Sequence, residues 1–295
     1  MKAGFIYLII GATSFAVGAA GGIVGKRVLG AVNTVYVGSV EELKMDTKAL
    51  MERYDDNPTQ GFSGVEMVNI ALEKYKRCEY SYSVSIGTAD TVVQQTIRNF
   101  QIRNGNTYFE ESISKSSFVS LADRITEEGA GGDVNFYHGK ATSSETGVYP
   151  SEPRKMTAQE YSDFMGRTLD QMFIYIISDK TLSGSGATIT IADNGDYMIS
   201  VELNPKTATY YYKIQMINIS GLDALPVFSN VKLTYTMTKD YDLKHLSVDE
   251  SYEASMGLLA KIHNKLETNY YPNIKFDIPD LNTPLDYESE RSLYE

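Results

Sequence analysis

Three histidines, one cysteine and a few close-spaced carboxylates are the residues of this chain that could do chemistry. His138, His245 and His263 fall in three separate strand-like segments. They form no i,i+4 pair and no HExxH, and they have no Cys–His partner, so spacing alone composes neither a zinc site nor an activated nucleophile. Their expected role is hydrogen bonding from strands. Cys78 has no second thiol to bridge, which excludes an internal disulfide and a cysteine metal site. Asp193 with Asp196, and Asp240 with Asp242, flank turns, where carboxylates cap backbone N–H groups. Asp55, Asn57, Thr59, Gly61, Ser63 and Glu66 fall at positions 1, 3, 5, 7, 9 and 12 of a calcium-loop pattern. Position 6 is Gln60 instead of glycine and position 4 is Pro58, so the pattern is not that of an EF-hand. Ser183-Gly184-Ser185-Gly186 and Gly129-Ala130-Gly131-Gly132 match neither a phosphate loop nor a dinucleotide fingerprint and read as loops. The residues thus point to no catalytic constellation, no metal and no cofactor, and to a protein that is not an enzyme.

Composition narrows the class further. The 295 residues carry 27 Lys+Arg against 38 Asp+Glu, a net charge of −11. Such a balance lacks the basic surface that phosphate neutralisation requires, so nucleic acid is not an expected partner. With 42% hydrophobic and 22% charged residues the chain can bury a sizeable core.

The amino terminus is the strongest signal. From Ala3 to Gly25, 23 consecutive residues carry no charge, and Lys26-Arg27 follows at once. That length spans a hydrocarbon core. Gly18, Gly21, Gly22 and Gly25 repeat a small-xxx-small spacing that lets spans approach. The rival is a signal peptide cleaved at Ala16-Val17-Gly18, but the apolar run continues past that point, which favours an uncleaved anchor. The signal-like start and the β-rich remainder place the C-terminal part outside the cytoplasm.

Capping boxes and periodicity then divide the chain. Residues 1–27 form the anchor or signal segment and 28–62 a linker with an amphipathic helix. Residues 63–280 form the main domain, and 281–295 an acidic tail. Ser39 with Glu42 predicts a helix to about Tyr54; Ser63 with Glu66 predicts a second, with Phe62 and Met67 as a hydrophobic staple. From Cys78 the period becomes two. Tyr80, Tyr82, Val84 and Ile86 share one face, expected buried, and Ser81, Ser83 and Ser85 the other, expected wet. Strands follow near 92–103 and 106–117, joined at Asn104-Gly105-Asn106, and a polar strand covers 133–146. Thr157 with Glu160 opens a helix to about Leu169, whose apolar character Met172–Ile177 extends. A hairpin turns at Asp193–Asp196, Pro205 opens a helix over 205–219, and three strands complete the pattern around 231–237, 246–252 and 258–270.

The expected fold is α+β: a strongly curved antiparallel sheet of eight or more strands, an unclosed half-barrel covered by helices, with one N-terminal transmembrane helix. Space left between sheet and helices would hold an apolar ligand. Tyr80, Tyr82, Val84, Tyr108, Tyr197, Tyr211, Tyr235 and Met237 are the candidate lining residues, since tyrosine offers large area with a polar tip. Core packing is the leading reading of the same tyrosines, and cavity lining the alternative.

Several segments resemble the LolA/LppX-like lipoprotein and lipid-carrier superfamily over most of 63–280. They are Lys76-Arg77 followed by Tyr80-Ser81-Tyr82, Arg98-Asn99-Phe100 with Tyr108-Phe109, and Leu203-Asn204-Pro205 through Tyr212. Thr234-Tyr235-Thr236-Met237 before Asp240-Tyr241-Asp242 adds to the likeness. The resemblance implies a half-barrel with a helical lid that shields acyl chains or a lipid-modified partner from water. The chain departs from the carriers in lacking a lipid-anchoring cysteine. The expectation is a membrane-anchored extracytoplasmic binding protein of the cell envelope, non-enzymatic, holding a lipid or lipidated ligand. The alternative is an envelope structural or interaction protein with a filled core and a protein partner.

Overall fold

The computed structural model describes residues 39–90, 95–116, 120–127, 132–141, 147–169, 174–220, 222, 224–255 and 259–281. The apolar run at 3–25 and the tail from 282 lie outside these residues. Among those described, no helix is long and apolar enough to cross a membrane.

Two antiparallel meanders form one curved, unclosed sheet. The first comprises β1 (Tyr80–Asp90), β2 (Gln95–Asn104), β3 (Thr107–Ser116), β4 (Ser120–Glu127), β5 (Val134–Ala141), β6 (Gly147–Val148) and β7 (Arg154–Met156). The second comprises β8 (Leu182–Ile191), β9 (Tyr197–Leu203), β10 (Val227–Met237), β11 (Leu243–Ser255) and β12 (Leu259–Pro272). The spatial order is β6-β5-β4-β3-β2-β1-β12-β11-β10-β9-β8, with β7 paired to β5. The first and last long strands therefore meet mid-sheet, where Ser83 opposes Tyr270 and Gly87 opposes Leu266.

Local chemistry explains the helices. α1 (Thr47–Asp56) starts where the Asp46 carboxylate accepts from Ala49 N at 3.0 Å. Ser39 makes no such bond, so the helix expected from it is only a 3₁₀ turn, Val40–Leu43. α2 (Gly64–Lys76) and α3 (Ala158–Met165) both open with the expected reciprocal boxes, Ser63/Glu66 and Thr157/Glu160. α3 stops early because Gly166 turns left-handed at φ 68°. A Cβ there would lie 2.6 Å from Tyr211 O, so only glycine fits. The apolar residues Ile174–Ile177 accordingly do not extend a helix; they are buried in irregular backbone. The helix expected over 205–219 divides at Thr209 into α4 (Pro205–Ala208) and α5 (Tyr210–Ser220). Of the polar strand expected over 133–146, Val134–Ala141 forms β5 and 142–146 lie outside the described residues; β4 was not legible as a strand at all.

Three apolar clusters fill the molecule. The largest lies under α2 and α5, where Val68, Ile70 and Ala71 meet Ile199, Val201, Leu233 and Leu246. A second joins α3 to Ile125, Val134 and Phe136. The third lies on the opposite face of the first meander: Tyr82, Phe100, Ile102, Phe109 and Ile113, covered by Phe276 and Ile278 of the segment after β12. This third cluster corrects the expectation for β1. Ser81, Ser83 and Ser85 are buried on the helix-covered face, below Tyr75 of α2, while Tyr82 and Val84 point to the other side. Alternation separates two faces but cannot say which is wet when both are covered.

Candidate functional site: a cleft between the first meander and α3

Cross-strand register builds the floor of the cleft. Arg103 on β2 opposes Tyr108 on β3, Tyr108 opposes Glu127 on β4, and Glu127 opposes Val134 on β5. Residues opposed in this way share one face, so the four side chains form a row across four strands. Gly105, at φ 59°, makes the tight β2–β3 turn at one end and donates its N–H to Glu79 O at 2.7 Å. Ala158 and Tyr161 of α3, with Thr168 and Leu169 beyond its end, form the other wall. The cleft, open to solvent on one side, has a volume of about 360 Å³.

A buried polar network supports this floor. Glu110, one alternation along β3 from Tyr108, accepts from Gln101 Nε2 at 2.9 Å, from Arg167 Nη2 at 3.0 Å and from the Tyr108 hydroxyl. Arg167 is the residue that the Gly166 turn redirects toward the sheet, and both partners are buried. Burial alone would depress the guanidinium's pKa, but the nearby Tyr161, Glu110 and Tyr108 more than offset it and hold the group above its usual range. The ion pair thus fastens the end of α3 to β3. Burial and Glu110 push the Tyr108 phenol well up, and burial does the same for Tyr161. The Tyr161 hydroxyl is buried, and it has no hydrogen-bond partner among the described residues.

A second buried carboxyl lies in the other half. Glu250 on β11 accepts from Tyr175 at 2.6 Å, Tyr212 at 2.8 Å and Asn264 Nδ2 at 2.8 Å. Burial pushes its pKa up to about 7, against the lowering effect of those three donors. A smaller cleft of about 280 Å³ lies between α1, α2 and the start of β11. Its charges pair among themselves, Lys74 with Asp242 at 2.7 Å and Arg77 with Asp55 at 3.8 Å.

The candidate lining residues do not converge. Only Tyr108 lines the larger cleft. Tyr235 and Met237 are buried in the cluster under α2 and α5, and Tyr197 packs against it with its ring 5.8 Å from Tyr241. Tyr211 lies on a partly exposed flank of α5, with Lys44 Nζ 5.1 Å from its ring. Tyr82 stacks on Tyr271 at 4.2 Å and Val84 packs nearby, both across the sheet from the cleft. Tyr80 opens β1, with Lys275 Nζ 5.7 Å from its ring. Arg103, Glu110, Glu127, Tyr161 and Arg167 were missed. The available signal was the charge carried at Glu110, Glu111, Asp123 and Arg124 inside long strands, where charge must be paired to be buried.

The other chemical candidates are held by ordinary contacts. His138 Nδ1 lies 2.6 Å from Asp123, His245 Nε2 3.1 Å from Glu267 and His263 Nε2 3.0 Å from Asp249. The hydrogen bond that Asp123 accepts raises the His138 pKa against the effect of burial. Glu66, position 12 of the calcium-like pattern, caps Ser63 and pairs with Arg53 at 2.7 Å. No group of three or more metal-ligating side chains occurs among the described residues. Compared with known protein families and with curated proteins, the chain matches no family model and none of those proteins.

Proposed function

We propose that this chain is a membrane-anchored extracytoplasmic binding protein of the cell envelope that holds a lipid-like amphiphile without transforming it. The observation that carries the proposal is the cleft of about 360 Å³, with Tyr108, Val134, Tyr161 and Leu169 as apolar walls and charged groups at its rim. Ligand sites are typically of roughly 300–1,000 Å³ and mostly apolar, with a few placed polar groups. The volume is at the small end of that range and suits one short apolar chain. The anchor comes from the uncharged run Ala3–Gly25, and the carrier role is in keeping with the LolA/LppX-like order of elements. The space under α2 and α5 is filled by side chains, so the ligand belongs beside α3.

Native mass spectrometry of the full chain, purified gently from a host with natural lipids, tests the proposal. One amphiphile per chain is expected, leaving on solvent extraction and lost when Thr168→Trp fills the mouth. A folded protein that stays free of lipid after lipid is offered would overturn it. That result would favour the second reading, an interaction protein. The second reading draws on β8, which has no further strand beside it among the described residues and where Ile189 and Ile191 are 43% and 65% exposed.

A further inference from the structure

We infer that β8 pairs antiparallel with β8 of a second copy of this chain, about a two-fold axis at Ile189, so that one sheet runs through both copies. The inference goes beyond the amphiphile reading and does not depend on the cleft. β8 ends the sheet, with no further strand beside it among the described residues. Its backbone groups are turned the right way for pairing. At the end of the β8–β9 hairpin Ala192 N donates to Asp196 O at 2.9 Å, and strand alternation then turns the N–H and C=O of Thr190 and Thr188 toward β9. Those of Ala187, Ile189 and Ile191 face the open edge. Such a row of outward N–H and C=O groups is a template for another strand.

Charge and self-complementarity favour a second copy as the occupant. No residue from Thr181 to Ala192 is charged, although the chain carries −11 overall. Two copies of so acidic a chain repel each other, and an uncharged strip is where they meet at least cost. The other end of the sheet lacks this invitation, because β6 and β7 are only two and three residues long. Gly184 and Gly186, at φ 51° and 74°, interrupt the β8 register before Ala187, which confines regular pairing to Ala187–Ile191. A two-fold axis at Ile189 sets it against the partner's Ile189, Ala187 against the partner's Ile191 and Thr188 against the partner's Thr190. The pairs at 187, 189 and 191 are those that exchange both backbone hydrogen bonds. Ile189 and Ala187 oppose Ile199 and Val201 of the core, so the partner's strand continues the apolar face past its present edge. It covers Ile189 and Ile191, now 43% and 65% exposed. Five paired residues make a small interface, for which a dissociation constant on the order of 100 µM is expected.

The test is disulfide trapping of the full chain in a neutral maltoside detergent, with copper–phenanthroline and dissolved oxygen as oxidant. Ile189→Cys and Ile191→Cys are each oxidised alone, and Ala187→Cys is mixed with Ile191→Cys. A hydrogen-bonded antiparallel pair holds its Cα atoms about 5.5 Å apart, inside the roughly 4.4–6.8 Å that a disulfide spans, whereas Ile191 lies about 14 Å from the partner's Ile191. Ile189→Cys should therefore form dimers about tenfold faster than Ile191→Cys alone, and the mixture should give the 187–191 crosslink, identified by peptide mass. Wild type, with Cys78 as its one thiol, gives the background. Added to the mixed pair, Ile189→Pro removes the central outward N–H without touching the β8–β9 ladder and should lower that crosslink about tenfold. Ile189→Lys, which sets two like charges on the axis, should do the same. Equal crosslinking at every position, or dimers that Ile189→Lys leaves unchanged, would overturn the inference. So would a chain that stays monomeric, and slow amide exchange at 187, 189 and 191 in that monomer would assign the edge to a segment of the same chain.

Discussion

The two meanders solve the burial problem in different ways. In the second, β9–β12 put an almost continuous apolar face under α2 and α5, while their other face carries Lys232, His263, Lys265 and Glu267. In the first, both faces are covered. α3 lies on one and the segment after β12 on the other, and the buried set includes Glu110, Glu111, Asp123, Arg124 and Arg167. An apolar face under helices closes up by side-chain packing. Around paired charges the chain instead leaves the cleft, because a polar network fixes directions and fills space less completely.

The comparison can be broken at its strongest point in each half. Arg167→Ala leaves Glu110 buried without its cation and should cost about 3–5 kcal/mol in urea unfolding. The double replacement Glu110→Leu with Arg167→Met should recover only part of that loss: a buried pair is often no better than apolar residues of similar volume, but Gln101 and Tyr108 lose their acceptor. In the second meander, Leu233→Ala removes a fully buried side chain and should cost about 2–5 kcal/mol. No second substitution at a charged site should rescue it.

Glu250 sharpens the contrast, as a carboxyl set among tyrosines in the otherwise apolar half. Its folded pKa of about 7 lies above the ordinary 4.5, so the folded state holds the proton more tightly than the unfolded chain. Its contribution to stability is complete below about pH 4.5 and is lost as pH rises through about 7, a change on the order of 3 kcal/mol. Glu250→Gln cannot ionise. The difference in unfolding free energy between variant and wild type should therefore shift in the variant's favour from pH 4.5 to pH 8. A difference constant across that range would contradict the assignment.

Legibility in the sequence follows the same division. The Ser63/Glu66 and Thr157/Glu160 boxes, the Gly105 turn and the alternation of β9–β12 each depend on neighbouring residues, and each was readable. β4 was not, because Asp123 and Arg124 in Ser120–Glu127 break the apolar pattern and their partners are distant in sequence. Tyr82 on β1 is buried as expected, but that both faces of the strand are covered was not readable, since Phe276, which covers Tyr82, lies 194 positions later (276 − 82). The cleft was missed for the same reason. Arg103, Glu127 and Tyr161 are brought together only by strand register and by the glycine that ends α3.

The most direct test of the cleft as the binding site is photolabelling with an octyl phosphocholine analogue that carries a diazirine on its chain. Wild-type full-length protein would be irradiated and the adducts mapped by peptide sequencing. Labels should concentrate in the peptides around Tyr108, Val134 and Tyr161–Leu169 and should be displaced by unlabelled octylphosphocholine. Displaceable labels along Ile189–Ile191 or under α5, with none in those three peptides, would contradict the account.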